Sequence, residues 1–132
     1  MKGIKFLKSL YFFSLTGLLI LYLFPGSLIG YFFYGDFGKQ PNIIKNPLGT
    51  SINHLVAFFY LSCIGLFSYL KNSKFKKNLF FLLFLSIFLE LSHLFIPNRS
   101  FELFDLFANF LGFLGAFFLA FIIRKYEKNY FN

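Results

Sequence analysis

The stretch Leu79-Phe-Phe-Leu-Leu-Phe-Leu-Ser-Ile-Phe-Leu-Glu90-Leu-Ser-His93-Leu-Phe-Ile96 decides how this chain is read. It is apolar almost throughout and, at a rise of about 1.5 Å per residue, long enough to cross the hydrocarbon layer of a bilayer. Glu90 is the exception. A carboxylate in such a run is costly, so it faces a partner, a cavity or a ligand rather than lipid. Pro97-Asn98-Arg99 follows, then Glu102 and Asp105-Leu-Phe-Ala-Asn109. The polar residues that surround Glu90 in sequence mark the expected site.

Composition supports the same reading. The 132-residue chain is 58% hydrophobic and 14% charged, with a mean hydropathy of +0.68, whereas soluble domains carry roughly 25% charged residues. Its apolar residues come in long blocks, the mark of transmembrane helices. The expected fold is therefore all-α, a single polytopic membrane domain over residues 1–132. The 25 Phe residues read as lipid-facing filler. The net charge of +8 sits at the ends of apolar blocks, as membrane topology requires, so no nucleic-acid partner is expected. Cys63 is the single cysteine, which excludes an intrachain disulfide.

Four apolar blocks predict a bundle of four transmembrane helices over about residues 10–30, 53–70, 79–96 and 103–123. Lys2, Lys5 and Lys8 precede the first block like the start of a signal peptide. No Ala-x-Ala site follows, so the block reads as an uncleaved anchor ending near Pro25-Gly26. The longest non-helical segment is expected between Tyr34 and Ser51, with turn signals at Gly35-Asp36, Pro41-Asn42 and Asn46-Pro47.

Basic residues set the orientation. Lys2, Lys5 and Lys8, the hinge Lys71, Lys74, Lys76 and Lys77, and the tail Arg124, Lys125 and Lys128 fall on one side. Only Lys39, Lys45 and Arg99 fall on the other. By the positive-inside rule both termini are expected to be cytoplasmic, with the 97–105 turn outside. Glu90 then lies on the order of 10 Å below the outer end of its helix. His93 shares its face at i+3, and Asp105 and Asn109 share a face of the next helix. His54 opens the second helix from the same side. Three helices are thus expected to bring polar groups to one level, opening a pocket to the outer face with at least one Arg99–carboxylate contact. Ala108, Gly112 and Ala116 form a small-residue stripe suited to close packing, either against the third helix of the same chain or in a homodimer.

Glu90-Leu-Ser-His93, Pro97-Asn98-Arg99 and Asp105-Leu-Phe-Ala-Asn109-Phe-Leu-Gly112-Phe-Leu-Gly115 together resemble the VanZ-like family of small bacterial membrane proteins, named after a teicoplanin-resistance protein. The family pattern has Glu with Gln three positions on, Pro-x-Arg, and Asp-x-x-x-Asn-x-x-Gly-x-x-Gly. Upstream, an Asp-Lys-x-x-His segment opens its second helix. His54 matches that His; Thr50 and Ser51 stand in place of the Asp and Lys, and His93 in place of the Gln. The likeness covers about residues 50–115. It implies a multi-pass protein of the bacterial cytoplasmic membrane, linked to the cell envelope or to antibiotic resistance.

Three functions fit these residues. In the first, His54, Arg99, Asp105 and Asn109 bind the headgroup of an envelope lipid or lipid phosphate, with membrane lipids as partners. In the second, Glu90 and His93 are catalytic, as a general base acting on a lipid phosphate. In the third, the polar cluster only satisfies its own buried groups. Glu90-x-x-His93 has the form of half a carboxylate-bridged metal motif, with His54 and Asp105 as candidate extra ligands, but one copy assigns no metal and no other cofactor. Polar groups confined to one leaflet provide no continuous path for transport.

Overall fold

The computed structural model describes residues 2–41 and 49–130. Residues 42–48, which hold Lys45, the Asn46-Pro47 turn signal and much of the expected long connection, lie outside them. Five helices follow in order: α1 (Lys2–Leu23), α2 (Leu28–Tyr34), α3 (Ser51–Ser68), α4 (Phe75–Ser92) and α5 (Leu103–Tyr130).

The first expected helix, about residues 10–30, is two helices here. α1 begins at Lys2 because lysines permit helix even where they end an apolar span. It stops at Leu23 because the residue before Pro25 is disfavoured in the α region and Gly26 takes a φ of +97°. Ser27 then caps α2 by accepting the N–H of Gly30 at 2.9 Å, an arrangement worth about 1 kcal/mol. The backbone N–H of Ser27 donates to the carbonyl of Phe37 at 2.7 Å. α2 therefore folds back as a short hairpin beside the end of α1.

The other boundaries also shift. α4 starts at Phe75 and ends at Ser92, not at Ile96, because the position before Pro97 leaves helical space. Asn98 completes the turn in the left-handed region at φ 58°, where Asn is tolerated. Glu90 therefore sits in the last turn of α4 rather than on the order of 10 Å below its end. α5 runs on past Ile123 through Arg124 and Lys125, since both are good helix formers.

α3 is the central helix and packs on α1, α4 and α5. Phe58, Leu61 and Leu66 from α3 meet Tyr11 and Leu18 of α1, Leu82 and Leu89 of α4, and Phe113, Ala116 and Ala120 of α5 in one core. Gly112 lies on α3 rather than on the expected third crossing. A Cβ there would strike the carbonyl of Leu55 and come within 2.8 Å of the Phe59 nitrogen. Ala108 and Ala116 are buried on the same face, so α3 occupies the stripe that a homodimer would have used.

The outer surface is the reverse of a soluble domain's. Phe13, Phe32, Phe95 and Phe104 stand largely exposed among many other large apolar side chains, far more than a monomer in water carries. Three helices are long and apolar enough to cross a membrane, over Gly3–Leu23, Ser51–Ser68 and Leu103–Tyr126. α4 is of similar length, but Lys76, Lys77 and Glu90 interrupt its apolar run.

Candidate functional site

The site forms where the end of α1, the start of α3, the end of α4 and the start of α5 meet. His54, one turn into α3, is its centre. His54 Nε2 lies 3.4 Å from Asp105 Oδ2 and His54 Nδ1 lies 3.7 Å from Glu90 Oε2. His93, just past α4, places Nδ1 at 3.3 Å from the same Glu90 oxygen. His54, Glu90, His93, Asp105 and Asn109 are all buried. Five of the six expected residues thus share one cluster.

Each carboxylate is anchored by one oxygen. Glu90 Oε1 accepts the backbone N–H of Glu102 at 3.0 Å, so the loop before α5 holds the side chain that ends α4. Asp105 Oδ1 accepts the hydroxyl of Ser51 at 2.5 Å. Although Ser51 stands where a lysine was expected by resemblance, it still ties the start of α3 to Asp105. Asp105 lies in the first turn of α5, where its charge also suits the helix dipole.

Tyr22 is the residue that the sequence reading missed. Its hydroxyl donates to Asn109 Oδ1 at 2.7 Å and lies 2.9 Å from His54 Nδ1. Its ring stacks on that of His93, with centroids 5.7 Å apart, and meets His54 edge-on at 5.1 Å. The carbonyl of Tyr22 is 3.1 Å from His93 Nε2. A carbonyl only accepts, so Nε2 carries the hydrogen and Nδ1 turns toward Glu90.

Arg99 has partners other than the expected carboxylate. Among the described residues it forms no carboxylate contact. Its Nε donates to the carbonyl of Phe24 at 3.3 Å and its Nη2 to the carbonyl of Leu21. These carbonyls at the end of α1 lack helical partners, and a cation there complements the dipole. Partial burial draws the Arg99 pKa below the ordinary arginine value, yet guanidinium stays charged in proteins.

A half-open cleft of about 330 Å³ leads to this cluster from the α1–α3 side. Phe13, Gly17, Leu18, Ala57 and Leu61 line its length, and Tyr22, His54, His93 and Arg99 close its polar end. No family model, no curated protein and no solved structure matches the chain.

Proposed function

We propose that the chain is a VanZ-like integral membrane protein that binds an envelope lipid or lipid phosphate, with its headgroup at the polar end of the α1–α3 cleft. In this reading α4 is a fourth crossing, both termini are cytoplasmic, and the cluster lies in the outer leaflet of a bacterial cytoplasmic membrane. The charges of α4 agree with that placement. Lys76 and Lys77 lie at its start, where lysines reach the interface, and Glu90 lies in its last turn, turned inward.

The cleft carries the proposal. Its long wall is mainly apolar, with the paired hydroxyls of Ser14 and Tyr60 upon it, as an acyl or prenyl chain tolerates, and its end offers a guanidinium beside two imidazoles, as an anionic headgroup requires. The cleft is half open, and an opening toward the membrane would let a lipid enter from it. Link to antibiotic resistance follows from the resemblance and from an envelope lipid as ligand.

Mass spectrometry of lipids that co-purify with the protein tests this. The wild type should retain one lipid class that Gly17→Leu loses, because a Cβ at Gly17 meets no atom within 4 Å and the larger side chain fills the cleft without disturbing the helices. Arg99→Lys should reduce retention too, since the forked donor is lost. Retention that is equal in all three proteins overturns the reading. A retained lipid that stays chemically unchanged supports binding, whereas loss of its phosphate replaces binding with catalysis.

A further inference from the structure

Beyond the cleft, the geometry points to a second ligand: His54, Glu90 and Asp105 form a binding site for a divalent transition-metal ion of the Zn²⁺ or Mn²⁺ type. The three residues come from α3, α4 and α5, and each offers a ligand atom within 4.8 Å of the others. None is more than 8% exposed.

The donor chemistry carries the argument. One oxygen of each carboxylate is held by a protein donor, Glu102 N–H on Glu90 and the Ser51 hydroxyl on Asp105. That leaves Glu90 Oε2 and Asp105 Oδ2 turned toward His54. Glu90 Oε2 is fully buried and has no hydrogen-bond partner. A buried carboxylate oxygen without a donor is costly. His93 cannot relieve it as a neutral ring, because its hydrogen is on Nε2, toward the Tyr22 carbonyl.

The same reasoning applies to His54. With the Tyr22 hydroxyl donated to Asn109, the contact between Tyr22 and His54 needs a hydrogen on Nδ1. In the neutral imidazole, Nε2 then presents its lone pair toward Asp105 Oδ2, another acceptor. Three acceptors, Glu90 Oε2, Asp105 Oδ2 and His54 Nε2, thus gather at the centre of the cluster, where the nearest His54 donor, Nδ1–H, stands 3.7 Å from Glu90 Oε2 and is directed to Tyr22. The nearby guanidinium of Arg99 makes no ion pair with either carboxylate among the described residues; its Nε and Nη2 donate to the carbonyls of Phe24 and Leu21.

A single divalent cation balances both carboxylates and uses all three free lone pairs. One imidazole nitrogen with two carboxylate oxygens suits Zn²⁺ or Mn²⁺ better than Mg²⁺ or Ca²⁺, which favour oxygen alone. The outer partners are already in place. Tyr22 orients the imidazole, and Ser51 and Glu102 orient the carboxylates, as second-layer contacts do in known metal sites. The cleft reaches His54 and provides a route in.

The test is metal analysis of the detergent-purified protein, together with thermal unfolding in Zn²⁺, Mn²⁺ or Mg²⁺ after treatment with chelator. The wild type should carry on the order of one Zn²⁺ or Mn²⁺ per chain. Re-addition of that ion, but not of Mg²⁺, should raise the unfolding midpoint by at least roughly 3 °C. Asp105→Asn keeps the shape and the Ser51 contact and should lose both the metal and the shift. His54→Gln provides the same comparison should Asp105→Asn fail to fold. Wild-type protein that carries no stoichiometric metal and gains no stability from Zn²⁺ or Mn²⁺ overturns the inference, as do variants that retain the ion. Lipid content does not enter these readings, so the site stands or falls apart from the proposal for the cleft.

Discussion

At the scale of single residues, Tyr22 shows how an apolar segment holds a polar site. Its hydroxyl lies between Asn109 and His54, its carbonyl fixes His93, and its ring packs against both histidines. Tyr22→Phe keeps the ring but leaves buried groups of Asn109 and His54 without their partner. That should cost about 1–3 kcal/mol, read as a lower midpoint for unfolding in detergent; stability equal to wild type would show that the hydroxyl links nothing of consequence. His54, Glu90, Asp105 and Asn109 were legible in the sequence because each is expensive in a lipid-facing segment and so must be used elsewhere. Tyr22 was not. It is one of 8 Tyr in a chain with 25 Phe, and a tyrosine near a helix end reads equally well as an interface anchor. Arg99 was legible as part of the site, but its partners were not. The need it meets, the unpaired carbonyls that end α1, arises only once Pro25 has stopped that helix and the chain has brought the two together.

At the scale of elements, the tightest contact is that of Gly112 on α3. Helices in lipid gain little from hydrophobic transfer, so close packing over small residues supplies much of their attraction. Gly112→Val would press a branched side chain against the Leu55 carbonyl and the Phe59 nitrogen and should lower stability by roughly 1–3 kcal/mol or more. Gly17→Ala, with open space around its Cβ, should change stability little. Equal loss from both would mean that general helix propensity, not the α3–α5 contact, sets the effect. The stripe containing Gly112 was visible from its spacing, whereas its partner was not, because spacing records closeness without naming the neighbour. The helix ends were hardest to read. Hydropathy marks where lipid would begin, but a helix continues through Lys and Arg, as at Lys2 and Arg124, and stops at Pro and Gly, as at Pro25 and Pro97.

At the scale of the whole molecule, the basic termini and the hinge gather at one end of the bundle. The Lys8 ammonium lies 4.9 Å from the Tyr69 ring centre, and the Arg124 guanidinium lies 4.4 Å from that of Phe75. Thus the start of α1, the 69–74 hinge and the end of α5 are neighbours. The opposite end holds the α2 hairpin and the 93–102 turn; Gly38, Asn98, Ser100 and Glu102 line one hollow there. Under the proposed topology, charge asymmetry of this kind would put the basic end in the cytoplasm. The arrangement is open to labelling in intact cells with an impermeant thiol reagent, in a Cys63→Ala background that removes the native thiol. Gly38, Lys74 and Ser100 are exposed, so a cysteine at each reports its side of the membrane. With four crossings, cysteines at Gly38 and Ser100 should react and one at Lys74 should stay protected until the membrane is permeabilised. Reaction at Lys74 with protection at the other two positions would invert the orientation. Protection at Ser100 together with Lys74, while Gly38 reacts, would mean that α4 does not cross, and the buried cluster at its end would then have to be placed elsewhere than in the outer leaflet.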